Sequence, residues 1–402
     1  MKVTIEDIRQ ARQIIKDVIR PTEIDKSHSA SNLIGSEVFL KFENTQFTGS
    51  FKLRGAYNKI ASLTSEEKKR GVIASSAGNH AQGVAYSASK AGVRSVIVMP
   101  VIAPLNKVEA TKGYGAEVIS FGEIVDDATL KARELAQSEG YVFVHPYEDE
   151  KIIAGQGTIG LEIMERLPDL DSVLVPIGGG GLISGIATAV KAINPKCRVI
   201  GVQTSVASGM SRLFHHQESL ILQKRISTIA DGIAIKQPSM VMFESFLSKL
   251  VDDIVTVSDD EIAEAMVFLL ERTKTVTEGA GAAGFAALLS RKLNLGAKTC
   301  VVLCGGNIDL NMISKVIEKG QIRKGRLCEL SVIVDDLPGT LHRLTQAIAG
   351  LGANVLEVHH NRILTGLFLR ETRIEFILET KNQGHIEEIK QALIQAGGRI
   401  LP

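Results

Sequence analysis

Short runs of apolar residues alternate with longer stretches whose apolar positions recur at helical spacing. The first stretch, 4–20, reads as a surface helix, with Thr4 and Asp7 as a capping pair and Pro21 beyond its end. The run 37–43 (EVFLKFE) reads as a strand. A helix from Phe51 to about Leu63 follows, with Ser50 expected as its N-cap, and Thr64 with Glu67 forms a second capping box. A βα rhythm then sets in. Strand 71–76 runs into a helix near 79–90, strand 94–99 into one near 105–112, and strand 116–121 into one near 126–138, before strand 141–145. A helix near 158–166, strand 172–177, helix 182–193 and strand 198–204 continue it. Ser258 and Glu261 cap a helix to about Arg272, and helix 281–293 and strand 299–304 end the regular part. Such alternation predicts parallel sheets wrapped by helices.

The pattern changes at the basic stretch 323–326 (RKGR), which reads as a linker or domain edge. Beyond it lies a compact β-α-β-β-α-β order, with strands 329–334, 354–362, 371–380 and 399–401 and helices 339–350 and 386–395. This predicts a ferredoxin-like unit of ordinary small-domain size. The expected domains are 1–322 and 327–402.

Composition narrows the function classes. The 402 residues are 45% hydrophobic, enough for a sizeable core, and the net charge is +1 without a basic block. Neither nucleic acid nor a membrane surface is an expected partner. The N-terminus lacks the apolar segment of a signal peptide, and no apolar run is long enough to span a membrane. Cys197, Cys300, Cys304 and Cys328 lack zinc-ligand spacing and are too few for a disulfide framework, so a reduced, cytoplasmic protein is expected. Many of the 37 glycines fall at strand-to-helix junctions, where parallel-sheet proteins place ligand loops.

Four stretches carry chemistry. In 48–56 (TGSFKLRGA) Lys52 sits just inside a helix, beside the flat apolar face of Phe51. The positive end of the helix dipole disfavours an ammonium there, and the free amine is the form that attacks an aldehyde. A solvated lysine on an ordinary amphipathic helix fits the same residues. In 75–83 (SSAGNHAQG) a strand end meets a helix start, so backbone amides with Ser76 and Asn79 suit a carboxylate; a plain βα turn fits as well. His80 reads as a hydrogen-bonding scaffold residue rather than a base. The run Gly178, Gly179, Gly180, Gly181 and Leu182 opens a helix without a side chain to crowd the turn, and lacks both dinucleotide spacing and a P-loop lysine. A phosphate fits it better than a dinucleotide; a tight turn with no ligand fits the same residues. At 304–307 (CGGN) Cys304 is either a buried core cysteine or a neutral, weak hydrogen-bond partner. One ligand satisfies all four, with an aldehyde, a phosphate, an aromatic ring and a ring atom met by a neutral group: pyridoxal 5′-phosphate.

In order and spacing, TGSFKLRGA, SSAGNHAQG, GGGGLISG, TEGAGAAG and CGGNIDL resemble the fold type II pyridoxal-phosphate enzymes, and within them the threonine dehydratases, over about residues 5–320. The tail, with DLPGTL at 336–341 and GANV at 352–355, resembles a single ACT domain. The resemblance implies an α/β, tryptophan-synthase-β-like catalytic domain of two parallel-sheet subdomains, followed by a ferredoxin-like ACT domain. It implies that Lys52 bonds the cofactor aldehyde, Phe51 packs on its ring and Asn79 meets the ring's 3′ oxygen. Gly178, Gly179, Gly180, Gly181 and Leu182 would hold the phosphate, and Cys304 would face the pyridine nitrogen. Ser76, Asn79 and His80 would receive the substrate carboxylate, while Glu278 lines the site without an assigned role. Ala77 stands where serine racemases of this fold put an acid/base serine, and Gln203 replaces an acidic cation ligand, so racemisation and metal activation are not expected.

The implied reaction removes water from L-threonine to give 2-oxobutanoate and ammonia, with L-serine giving pyruvate. An effector, by expectation a branched-chain amino acid, would bind at Asp336, Leu337, Pro338, Gly339, Thr340 and Leu341, in a homodimer or homotetramer. The competing expectations are an L-serine dehydratase, a serine racemase or β-replacement synthase, and an amino-acid sensor that has lost catalysis.

Overall fold

A computed structural model describes residues 1–218, 226–291, 293–362 and 368–401. The chain forms two compact units, Met1–Ile308 and Asp309–Pro402.

The strands of the first unit are β1 Ile24–Lys26, β2 Glu37–Lys41, β3 Val72–Ser75, β4 Ser95–Met99, β5 Glu117–Ser120, β6 Val142–Phe143, β7 Ser172–Pro176, β8 Arg198–Thr204, β9 Asp253–Val257 and β10 Lys298–Val302. Six of them make one sheet in the order β1-β2-β10-β7-β8-β9, parallel except where β1 meets β2. The other four make a wholly parallel sheet, β5-β4-β3-β6. Every residue of β3, β4 and β7 is buried, which is why each reads as a strand without polar alternation. The expected pair of parallel-sheet subdomains is present.

Several boundaries differ from the sequence reading. The first helix stops at Ile15 rather than 20. The helix expected near 158–166 starts at Glu150, capped by Asp149, whose carboxylate accepts from Lys151 N at 2.8 Å and Ile152 N at 3.1 Å. Gly155 and Gly157 hid that first half, since glycine lowers helix propensity. They are there for close approach. A Cβ on Gly155 would lie 2.6 Å from the Gly55 Cα, and one on Gly185 would lie 2.4 Å from the Ile153 carbonyl oxygen. The helix Glu150–Arg166 thus touches both the lysine helix, Lys52–Ala61, and the helix Gly181–Ile193 backbone to backbone. The helix placed at 281–293 runs from Gly279 to Leu289, and Lys292 lies outside the described residues. Strands β1 and β9 and the helices His28–Ile34 and Leu310–Arg323 were not expected.

The second unit adds β11 Leu327–Asp335, β12 Asn354–Asn361, β13 Glu371–Glu379 and β14 Arg399–Ile400, an antiparallel sheet in the order β12-β13-β11-β14. On β13 the alternate residues Thr372, Ile374, Phe376 and Leu378 are buried. Leu344 and Ile348 of one helix and Ile386, Ile389 and Leu393 of another pack on that apolar face. The ferredoxin-like order is the one expected. Asp336 follows β11 and accepts from Arg362 Nε at 2.9 Å, Gly339 turns the chain at φ +87° into the helix Thr340–Gly350, and Leu337 is 57% exposed.

Candidate active site

Lys52 is the first residue of its helix. Ser50 does not cap it, against expectation: the N-cap residue is Phe51, without a side-chain bond, and Ser50 Oγ is buried with no partner among the described residues. The reason lies in the backbone. The loop before the helix is sewn to the 304–307 loop, so Ser50 bridges Gly305 instead of turning back on the helix. Phe51 N donates to the Cys304 carbonyl oxygen at 3.1 Å, Gly306 N to that of Gly49 at 2.9 Å, and Asn307 Nδ2 to that of Thr48 at 2.7 Å. Gly49 permits this, with φ +70° and no Cβ, which would otherwise sit 2.2 Å from Asn307 Oδ1.

The Lys52 ammonium has little to hold its charge. Nζ donates to the Pro146 carbonyl oxygen at 2.9 Å and lies 5.3 Å from the Phe51 ring centre. Burial lowers its pKa to about 8, against the opposing pull of Cys304 and Glu278. The helix itself is pinned from behind. Arg54, wholly buried, makes two bonds to Glu43 at 2.8 Å and two to Glu162 at 2.6 and 2.9 Å. Lys41 joins Glu162 and the Thr22 carbonyl oxygen, so two cations meet two carboxylates. Burial opposes the charge on Arg54, but Glu43 and Glu162 overcome it and raise its pKa further.

The Pro146 segment links Lys52 to the glycine run. Tyr147 lies against two of these glycines, its ring on Gly179 and its Cβ and backbone on Gly181: a Cβ on Gly179 would be 2.2 Å from its Cε1, and one on Gly181 would be 2.8 Å from its Cβ. Gly180, at φ +97°, leads into the helix Gly181–Ile193 without a side-chain cap, so the first N–H groups have no acceptor from an earlier turn. That is an anion cradle by construction. Leu182, 6% exposed, packs into the core beneath it.

Asn79 and His80 open the helix Asn79–Lys90. Asn79 Nδ2 donates to Glu278 Oε1 at 2.6 Å, and Asn79 Oδ1 accepts from Asn307 Nδ2 at 2.8 Å. His80 Nε2 donates to the Val144 carbonyl oxygen at 2.9 Å, and burial and Lys52 lower its pKa to about 3. The ring is therefore neutral at working pH. Ser76 Oγ accepts from Gly78 N at 3.1 Å, and Ala77 beside it is half-buried. Cys304 Sγ is 3.5 Å from the Ala280 carbonyl oxygen, and burial, then Glu278, pushes its thiol far above the usual range, so it stays protonated. Glu278 is buried and its pKa is raised to about 7, first by burial and then by Asp231.

The four stretches marked in the sequence thus converge, through the contacts of Lys52, Pro146, Tyr147, Asn79, Glu278 and Cys304. Pro146, Tyr147, Asn307 and the Arg54 cluster were not foreseen. Asn307 stood in the CGGN stretch and Tyr147 had no signal, because its role is to cover residues distant in sequence. A buried amine of lowered pKa, a helix head without a side-chain cap and an uncharged thiol together fit pyridoxal phosphate.

Comparison with known proteins agrees. The family described as pyridoxal-phosphate dependent enzyme matches residues 15–305, and the ACT domain matches residues 329–398. The L-threonine ammonia-lyase of Thermotoga maritima is 49% identical over 395 residues, 98% of each chain. Among solved structures, maize serine racemase superposes at a TM-score of 0.74 and 33% identity, over 80% of this chain and 99% of that one. A threonine deaminase isoform from Solanum lycopersicum gives 0.73 and 33%, over 80% and 91%. The chain belongs to the pyridoxal-phosphate dependent enzymes, with an ACT domain at residues 329–398.

Proposed function

We propose that this chain is an L-threonine ammonia-lyase that also accepts L-serine and is regulated through its ACT domain. The observation that carries the reading is Lys52, an amine held at a helix head and stripped of water until its pKa nears 8. The Thermotoga maritima relative, alike through both units, supports the substrate.

Pyridoxal phosphate, when bound, supplies an aldehyde for Lys52 and a ring that withdraws charge from the substrate Cα. The protein's residues do the rest. Lys52 would hold the cofactor's aldehyde and, when free and neutral, would take the Cα proton of the substrate. The amides before Asn79 and the Ser76 hydroxyl orient the substrate carboxylate. The first turn of Gly181–Ile193 anchors the phosphate. Cys304, neutral, would not protonate a pyridine nitrogen, which would keep charge near Cα, and the β-hydroxyl would leave as water, taking up a proton in exchange for the one Lys52 removed from Cα. The released enamine hydrolyses to 2-oxobutanoate and ammonia. Ala77 has only a methyl group and no proton to give, so D-serine is not expected to accumulate.

The loop Asp336, Leu337, Pro338, Gly339, Thr340 and Leu341 is the proposed effector site, with a branched-chain amino acid as ligand. A cytoplasmic homodimer or homotetramer is the proposed assembly, and no described helix is long and apolar enough to cross a membrane. The test is to load the purified protein with pyridoxal phosphate and assay keto acid from L-threonine and L-serine, with and without each branched-chain amino acid. Lys52→Ala is expected to lose covalent attachment of the cofactor and about a thousandfold or more of the rate. Keto acid formed by Lys52→Ala at the parent rate overturns the reading.

A further inference from the structure

Glu278 heads the helix Gly279–Leu289 but makes no capping bond to it. An aspartate at that position ordinarily accepts from an N–H of the first turn, and the longer glutamate is free to reach elsewhere. Here it turns across the site and accepts from Asn79 Nδ2 at 2.6 Å and from the Asn307 backbone N–H. It is 6% exposed. The charged or titratable groups facing it come from four elements: Lys52 on its helix, Cys304 after β10, Asp231 at the segment 231–236, and Lys107 on the helix Leu105–Gly113. Its hydrogen bonds nevertheless go to amides. Burying a carboxylate this way is costly, and proteins keep such an arrangement where a site needs it.

The need is visible in the Asn79 amide. An asparagine side chain has two N–H donors and one oxygen. Here the oxygen accepts from Asn307 Nδ2, which is itself fixed by the Thr48 carbonyl oxygen at 2.7 Å. One N–H goes to Glu278, and the other meets no acceptor among the described residues. Were the amide reversed, its oxygen would face an ionised carboxylate oxygen at hydrogen-bond distance, which is repulsive. The reversed amide would also point its NH₂ at that of Asn307.

We propose that Glu278 is a positioning residue that locks the Asn79 amide in one orientation and so keeps one Nδ2–H aimed at the cofactor's ring oxygen. This rests on the pyridoxal-phosphate reading of the site. The lock weakens as pH falls through the Glu278 pKa of about 7, because a protonated carboxyl donates as readily as it accepts. A hydrogen bond to the ring oxygen sets the balance between the tautomers of the bound cofactor, so the lock has a colour.

The experiment records the visible spectrum of the full chain loaded with pyridoxal phosphate between about pH 5.5 and 8.5. In the parent, the ratio of the two cofactor bands is expected to titrate with a midpoint near the Glu278 value. In Glu278→Gln the ratio is expected to be flat over that range, with cofactor still bound. Glu278→Asp should restore a titration at a displaced midpoint. With L-threonine, kcat of Glu278→Gln is expected to fall about tenfold, the loss of a hydrogen bond to a charged group, with KM changed less. A parent ratio that does not titrate, or an identical titration in Glu278→Gln, overturns the proposal. Should Glu278→Gln not fold, Asn307→Ala frees the other end of the amide and must shift the parent ratio; an unchanged ratio overturns the proposal equally. A parent with the titration intact but no keto acid from threonine counts against the substrate, and leaves Glu278 in its place.

Discussion

At the scale of single residues, the site works by denying water to groups that ordinarily carry charge. Lys52 shows the cost. Its pKa is lowered from 10.5 to about 8 by burial, so between those values the unfolded chain holds a proton that the folded chain has shed. Stability therefore rises with pH across that window. Below about 8 both states are protonated and the folded chain bears the full penalty. In the cofactor-free protein, Lys52→Met is expected to melt higher than the parent at neutral pH, with the advantage shrinking as pH climbs toward the ordinary lysine value. Equal melting temperatures at neutral pH would sink this account. Lys52, the glycines and Cys304 were legible in the sequence because each stands in a compact stretch with its own chemistry. Asn307 and Tyr147 were not, because their function is to touch residues far along the chain. Glu278 was visible as a motif residue, but only the turn of its side chain away from its own helix revealed a task.

At the scale of elements, the fold trades helix propensity for closeness. Periodicity made most helices and strands readable, and β3, β4 and β7 announced themselves as buried runs. The helix Glu150–Arg166 was half missed because Gly155 and Gly157 in its first half serve neighbours rather than the helix itself. The Arg54 cluster was equally hidden, since Glu43 and Glu162 meet only when β2 and that helix pack on the lysine helix. Gly155→Ala tests the arrangement. Its new Cβ would meet backbone atoms, the Gly55 Cα at 2.6 Å and the Arg54 carbonyl oxygen at 2.7 Å, neither of which can swing aside. A loss of about 1–3 kcal/mol is expected, measured as a lower urea midpoint. A midpoint within error of the parent would show that the two helices separate freely.

At the scale of the whole molecule, the two units have separate cores and separate family matches. Maize serine racemase, 99% of which aligns with 80% of this chain, shows that the catalytic architecture stands as a protein by itself. Removing residues 309–402 is expected to leave keto acid formation from threonine in place and abolish any response to amino-acid effectors. A truncated chain that still responds would move the effector site into the first unit. The stitching of the lysine loop to residues 304–307 has a consequence for synthesis. A ribosome makes Lys52 early, yet its surroundings are finished only when a stretch some 250 positions later emerges and binds back on it. Until then the nascent chain offers a reactive aldehyde one ordinary lysine among many. On the proposed role of Lys52, cofactor capture is expected only at the very end of building the catalytic unit.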